Sequence, residues 1–393
     1  MYNSEWTIEN RKINKRHSMT VTLIYGGKSG EHEVSLVSAA AVARGLSKNY
    51  SLNLIAITKK GEWFLQPASE LERILRDNKA HFEIIEDSAS MVSVVPGTGK
   101  SAFIADGMAI ETDCVFPVLH GSFGEDGTIQ GLFEMADVPY VGCTTLSSAL
   151  TMDKEKTKQV WQSAGLPVVP YVCMPRYVML DSVIYDAVLD DTEKEIGYPM
   201  FVKPSSAGSS NGASKVNNRK ELSFALMEAF QWDDKVLIEK AINAREIECS
   251  VTGNAVSGPG DSDVEAVTAY IPGEILPTHT FYDYDVKYND ENGASLKIPA
   301  ELSESDMEKI RKTACAAYKV LDCSGLSRVD FFIDKDDGQV YLNEINTLPG
   351  FTPISMFPKM CEAAGLEFSE LVKLLVDEAM AKYQSKSLLV RSR

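Results

Sequence analysis

Long apolar runs are absent from this sequence. No window approaches the roughly 18 uncharged apolar residues that a membrane-spanning helix requires, so no membrane partner is expected. Basic charge is scarce as well: 39 Lys and Arg face 56 Asp and Glu, a net charge of −17. Nucleic-acid and anionic-surface binding need a cationic face, and neither is expected here. The seven cysteines, at 114, 143, 173, 249, 315, 323 and 361, form no CxxC pair and no metal-ligand spacing. They read as core-filling thiols in a reducing cytosol. Residues 1–18 carry Arg11, Lys12, Lys15, Arg16 and His17 with no apolar segment after them, so no secretory signal is expected, and Glu5 and Glu9 count against an organellar presequence. Two phosphate-binding signatures are missing too. Around Gly27-Lys28-Ser29 the first glycine of a GxxxxGK[ST] loop would fall on Thr22, and no GxGxxG follows a strand.

What is present is enough chain for two or three domains, 393 residues of which 44% are hydrophobic. Strands are expected at 20–25, 52–58 and 115–119, with a glycine turn at 26–30 and helices at 31–46 and 128–135. This alternation predicts an open α/β sheet that binds ligands at the carboxyl ends of its strands. A Lys-rich helix over 152–165 is ended by Gly165 and Pro167. Strands at 200–204, near 216 and at 235–239 follow, with an acidic helix at 221–230. The C-terminal part reads as α+β, with strands at 246–252 and 327–333 and helices at 303–320 and from 367. The expected division is an extension at 1–18, an N-terminal α/β domain at 19–140, a central domain at 141–235, a C-terminal domain at 236–386 and a tail at 387–393. Residues 257–263, with Gly258, Pro259 and Gly260, read as a surface insertion.

The most informative segment is RVDFFIDKDDGQVYLNEIN (328–346), two β-rich runs around Asp336-Asp337-Gly338. A three-residue hairpin loop centred on Asp337 sets Asp330 opposite Glu344 and Arg328 opposite Asn346, all on one face. Phe331, Ile333 and Tyr341 then face a core. Two carboxylates and an amide oxygen suit a hard cation, Mg²⁺ where phosphates are also held, and Arg328 adds a forked donor. The alternative, a surface face with cross-strand ion pairs, would suffice for one such group but not for four in register followed by the turn Thr347–Gly350. A second segment, FVKPSSAGSSNGASK (201–215), ends a strand in Lys203-Pro204 and opens a small-residue loop whose amides could cradle phosphate. VLIEK (236–240) with Glu246 is ordinary strand-end chemistry when taken alone. FYDYDVKY (281–288) reads equally as a lid or as a solvated loop. His120 alone reads as a structural histidine, and Glu31 as a helix-start carboxylate favoured by the dipole.

In order along the chain, GGKSGEHEVSL (26–36), LHGSFGEDGTIQG (119–131), MDK (152–154), VKPSSAGSSNG (202–212), FYDYDVKY (281–288) and RVDFF…NEINTLPGFTPIS (328–355) resemble the D-alanine–D-alanine ligase family, from about Val21 to Leu375. The resemblance implies an ATP-grasp fold of three α/β domains with ATP between the central and C-terminal ones. It implies a cytoplasmic, ADP-forming ligase that joins two D-alanines through an acyl phosphate for peptidoglycan precursor synthesis. It further implies two Mg²⁺ ions, with Mn²⁺ able to substitute, and a homodimer. By motif, Lys154, Lys203, Ser210, Lys240 and Lys287 would hold the nucleotide and its phosphates, and Glu239 and Glu246 its adenine and ribose. Asp330, Glu344 and Asn346 would ligate metal, and Arg328 and the Gly350 N–H would stabilise the oxyanion. Glu31 and His120 would fix the first D-alanine and Ser355 the second, with Glu31, Ser209 and Tyr288 forming a network that closes the lid. Two departures stand out: Asn211 where an apolar residue is common, and Met356 where leucine is familiar. Met356 bears on the second substrate, leaving a D-alanine–D-serine ligase as the alternative beside other ATP-grasp carboxylate–amine ligases. A non-catalytic nucleotide-binding module is opposed by the intact Arg328, Asp330, Glu344 and Asn346.

Overall fold

The structure is a computed structural model that describes residues 19–256, 266–277 and 294–390. The expected extension at 1–18, the insertion at 257–263 and the lid segment 281–288, with Lys287 and Tyr288, lie outside the described residues.

The chain begins with a sheet of β1 (Thr20–Gly26), β2 (Ser51–Ile57) and β3 (Trp63–Leu65), joined after a small ribbon of β4 (Val92–Val94), β5 (Phe103–Ala105) and β6 (Met108–Ile110) by β7 (Cys114–Val118). The strand order is β3-β2-β1-β7, with β1 parallel to both β2 and β7. Strands covered on both faces are apolar almost throughout, as β1 and β7 are. Helices α1 (His32–Leu46), α2 (Ala68–Arg76) and α3 (Thr128–Ala136) belong to this part. The carboxyl ends of β1 and β7 open into the segments 26–31 and 119–127, which carry Glu31 and His120.

The expected helix at 152–165 is two helices, α4 (Thr145–Met152) and α5 (Lys154–Ser163). The reason is Asp153, whose extended backbone interrupts the run and whose Oδ1 accepts the Lys156 N–H at 3.2 Å. The second sheet has β8 (Tyr171–Pro175), β9 (Met200–Pro204), β10 (Ser214–Val216) and β11 (Lys235–Lys240) in the antiparallel order β10-β9-β11-β8. Helices α6 (Ser182–Glu195) and α7 (Arg219–Ala229) cover its core. Although β11 runs past residue 235, the expected end of the central domain, it pairs in this central sheet.

The third sheet is built from β12 (Ala244–Asn254), β13 (Val267–Ala269), β14 (Gly273–Pro277), β15 (Ala294–Lys297), β16 (Ser324–Asp334) and β17 (Val340–Asn346), ordered β15-β14-β12-β16-β17 with β13 on β12. Helices α8 (Glu304–Lys319), α9 (Met356–Ala363) and α10 (Phe368–Ser387) complete the chain. One hydrophobic cluster joins Val21, Leu23, Tyr25 and Phe116 of the first sheet to Leu326, Leu348, Phe351 and the α10 residues Leu371, Leu375 and Val376. The first and third parts therefore share a core. Their backbones meet at Gly325, where φ is +75° and a Cβ would lie 2.9 Å from the Gly142 nitrogen. All seven cysteines are free, and five are buried. No helix among the described residues is long and apolar enough to cross a membrane.

Candidate active site

The hairpin of β16 and β17 sets Asp330 opposite Glu344 and Arg328 opposite Asn346, as its spacing predicts. The turn itself differs. Phe331 pairs with Leu342, Phe332 with Tyr341 and Ile333 with Val340, and the Asp334 N–H donates to the Gln339 carbonyl at 2.9 Å. The loop is thus one residue out of the expected register, and a bulge after Asp330 restores the pairing of the four polar residues. In consequence Leu342, not Tyr341, packs in the core beside Phe331. The bulge also adds Asn343 to the polar side, where its Oδ1 accepts from Lys203 at 3.1 Å.

Arg328 grips Asp330 through two donors, Nε at 2.7 Å and Nη2 at 2.6 Å, and lies 3.1 Å from Glu248. The Asn346 amide donates to the same Asp330 carboxylate at 3.0 Å. Burial works against the charge on Arg328, but Asp330 and Glu248 more than offset it and hold the guanidinium well above its ordinary pKa. Glu344 lies 3.4 Å from Lys154, whose ammonium also donates to the Ala207 carbonyl at 2.8 Å.

The loop after β9 turns left-handed at Ser209 and Ser210, with φ of +53° and +58°. This conformation brings the Ser209 hydroxyl to Glu31, to which it donates a hydrogen bond across the two parts of the chain. Glu31 is the residue before α1, not within its first turn, and its N–H donates to Ser29 Oγ at 3.2 Å. His120 is buried, which pushes its pKa down against the pull of Glu31 and leaves the ring neutral. Nδ1 faces the Leu348 carbonyl at 2.9 Å and must donate there, so Nε2 accepts from Ser38 Oγ at 3.2 Å. Both ring nitrogens are thereby committed to protein partners.

Two cavities meet here. The smaller, of ≈ 90 Å³, is lined by Glu31, His120, Glu125, Lys154, Ser209, Arg328, Glu344, Asn346 and Gly350. The larger, of ≈ 380 Å³, is lined by Lys154, Lys203, Ser209, Ser210, Glu239, Lys240, Glu246, Arg328, Asp330, Phe332 and Glu344, among others. Lys154, Ser209, Arg328 and Glu344 stand in the wall common to both. In the larger cavity Glu239 is buried between Lys158 at 3.0 Å and Lys203 at 2.9 Å. Burial raises its pKa, but the two ammonium groups outweigh that and keep the carboxylate below its ordinary range. Ser355 and Met356 line neither cavity. Ser355 lies just behind: a Cβ on Gly350 would be 2.8 Å from its Oγ, which accepts from the Thr352 N–H at 3.0 Å. Met356 packs with Ile275 and Met360 in a small apolar cluster.

Lys158, Asn343, Glu125 and Ser38 were not among the residues expected at this site. Glu125 stands within the motif 119–131, whereas Asn343 enters through the bulge, which leaves no mark in the residue pattern. The donor set Asp330, Glu344 and Asn346 is hard oxygen and suits Mg²⁺. It contains two carboxylates and one amide, and no cluster of three His, Cys, Asp or Glu that could hold a metal occurs among the described residues.

The chain is similar to known proteins over nearly its whole length. Residues 20–143 match the D-ala D-ala ligase N-terminus and residues 160–377 the D-ala D-ala ligase C-terminus. The chain is 53% identical over 376 residues to the D-alanine–D-alanine ligase of Treponema denticola, covering 95% of this chain and 100% of that protein. It is 46% identical to that of Treponema pallidum, covering 94% and 90%. Among solved structures, the D-alanine-D-alanine ligase from Coxiella burnetii superimposes with a TM-score of 0.79 at 34% identity, covering 95% of this chain and 97% of that one. The VanG D-Ala:D-Ser ligase from Enterococcus faecalis gives 0.78 at 37%, covering 92% and 99%. With an ATP-grasp architecture, both halves matched and near-complete coverage by relatives this similar, the chain belongs to the D-alanine–D-alanine ligase family.

Proposed function

We propose that the chain joins two D-alanines with hydrolysis of ATP to ADP and phosphate. The reading rests above all on the wall shared by the two cavities. The larger cavity has the size of a ligand site, and its Lys203, Lys240, Glu239 and Glu246 would take the nucleotide. The smaller cavity has room for an amino acid beside Glu31 and His120. A γ-phosphoryl group passing from one to the other would cross between Lys154, Arg328 and Glu344. The chemistry is then positioning and charge neutralisation, with no nucleophilic side chain required.

The first D-alanine would sit with its ammonium toward Glu31, itself fixed by Ser209. Its carboxylate would attack the γ-phosphorus to give an acyl phosphate and ADP. The amine of the second D-alanine would attack the acyl carbon, and the resulting oxyanion would be held by Arg328 and the Gly350 N–H until phosphate leaves. Asp330, Glu344 and Asn346 would hold the two Mg²⁺ ions. When bound, these would neutralise the phosphate oxygens. His120 acts in this scheme through the Leu348 carbonyl and Ser38, whose bonds occupy both its nitrogens.

The second substrate is read as D-alanine and not D-serine, because the relatives 53% and 46% identical to the chain are D-alanine–D-alanine ligases, whereas the D-Ala:D-Ser ligase is 37% identical. Mass analysis of products from equimolar D-alanine and D-serine with ATP and Mg²⁺ tests this. D-alanyl-D-alanine is expected to predominate, and a predominant D-alanyl-D-serine product would reassign the second site.

A further inference from the structure

Glu125 lines the smaller cavity, in the same motif as His120, and has no role in the scheme above. Its two oxygens reach backbone groups in different parts of the chain. Oε2 accepts the Gly121 N–H at 2.8 Å, and Oε1 accepts the Leu348 N–H at 3.0 Å. The carbonyl of that same Leu348 accepts from His120. Ser38, which donates to the other nitrogen of His120, accepts the Phe351 N–H at 3.2 Å. The turn 348–351 is therefore tied to the first part of the chain on both sides of Gly350. It is held at three backbone groups by three side chains.

We propose that Glu125 is a positioning residue for the oxyanion site: together with His120 and Ser38 it anchors the turn 348–351 and so fixes the direction of the Gly350 N–H. The inference rests on the ligase reading above, in which that N–H receives the oxyanion. Leu348 and Phe351 bury their side chains in the core shared with α10, which sets the position of the turn but not the rotation of its peptide planes. The Leu348 N–H and C=O belong to the two peptide units before the one that carries the Gly350 N–H, and the Phe351 N–H to the unit after it, so these bonds set the rotation of the planes on both sides of that unit. Burial and the negative charge of Glu31 push the Glu125 carboxyl up to about 8, against its two N–H donors and Arg328. At neutral pH it is thus mainly an uncharged acceptor, which adds little negative charge beside a developing oxyanion. An oxyanion donor works only when aimed at the place where charge develops, and a misplacement of about 1 Å costs on the order of 100-fold.

The test uses the full chain with D-alanine, ATP and Mg²⁺, at a temperature well below the melting point of every variant. Glu125→Gln keeps size and neutrality but turns one acceptor into a donor aimed at an N–H. It is expected to lower kcat about tenfold or more while ATP KM stays within about twofold. Phosphate released per dipeptide is expected to rise, because the acyl phosphate waits longer for capture. Ser38→Ala, which touches neither substrate, is expected to lower kcat in the same way but less. The double variant should lose less than the product of the two effects, since both act on one turn. A kcat within twofold of wild type for Glu125→Gln overturns the proposal, as does a loss in kcat matched by an equal loss in ATP binding. A wild-type protein that forms no dipeptide would instead overturn the ligase reading on which the proposal stands.

Discussion

Glu344 touches both cavities and pairs with Lys154, so it stands where a transferred phosphoryl group would cross. Glu344→Gln keeps the shape and removes the charge. It is expected to reduce kcat at saturating ATP and Mg²⁺ by about 100-fold or more with the melting temperature almost unchanged. Steady-state rates and a thermal melt check both halves, and near-wild-type turnover would remove Glu344 from the phosphoryl path. Ser209→Ala deletes the hydroxyl that donates to Glu31. A hydrogen bond of this kind contributes about 0.5–1.5 kcal/mol, so kcat/KM for D-alanine should fall by roughly 2- to 12-fold while ATP KM holds. A hairpin's period of two made the facing of Arg328, Asp330, Glu344 and Asn346 legible, but the pairing came out as expected only because the bulge after Asp330 offsets a loop one residue out of the expected register. The bulge that brings in Asn343 was not legible, since it changes pairing without changing composition. Glu125 and Ser38 were not either. Their partners are backbone N–H groups 223 and 313 residues away, and backbone groups have no sequence signature.

Helix α10 holds the first and third parts of the chain together. Leu371, Val372, Leu375 and Val376 are fully buried in the cluster shared with β1 and β7. Leu375→Ala leaves a cavity there and is expected to cost about 2–5 kcal/mol, read as a fall in denaturant midpoint at unchanged slope. About two turns further on, Lys382 donates to the Gly142 carbonyl and sits 4.3 Å from the centre of the Tyr140 ring. Burial lowers its pKa from 10.5 to about 8, with Cys143 and Glu134 opposing. The folded value lies below the unfolded one, so between about 8 and 10.5 the unfolded chain binds more protons and stability rises with pH. The penalty is complete below that window. Lys382→Met removes this slope, so wild type should gain stability relative to the variant from pH 8 to pH 10. Parallel pH profiles of melting temperature would contradict the assignment. The long strands and helices that build these layers were legible from periodicity, among them the helix expected from 303, where the Ser303 hydroxyl accepts the Asp306 N–H ahead of α8. Helix α6 was not: its apolar Val183 and Ile184 are exposed and only Leu189 and Thr192 are buried in it, so its apolar positions do not mark a buried face. The three-residue strands β3 to β6 are too short for a period to show.

For the whole molecule, a net charge of −17 coexists with a site where Lys154, Lys203, Lys240 and Arg328 converge on one cavity. The general surface would repel a nucleotide, and in this cavity these cations offset the carboxylates that line it, Glu239, Glu246, Glu248, Asp330 and Glu344. The shared core matters equally. It lets residues near the start of the chain, Glu31 and Ser38, reach Ser209 and Phe351 across the fold, so the amino-acid cavity is assembled from parts distant in sequence. Central to this account is that both cavities serve one reaction, transfer of a phosphoryl group followed by capture with an amine. The most direct measurement is the stoichiometry of ADP, phosphate and dipeptide with ATP, Mg²⁺ and a panel of D- and L-amino acids offered singly and in pairs. The account predicts D-alanine-dependent release of one phosphate and one ADP for each D-alanyl-D-alanine formed, with L-alanine supporting neither. Absence of D-alanine-dependent phosphate release at saturating ATP and Mg²⁺ would contradict it.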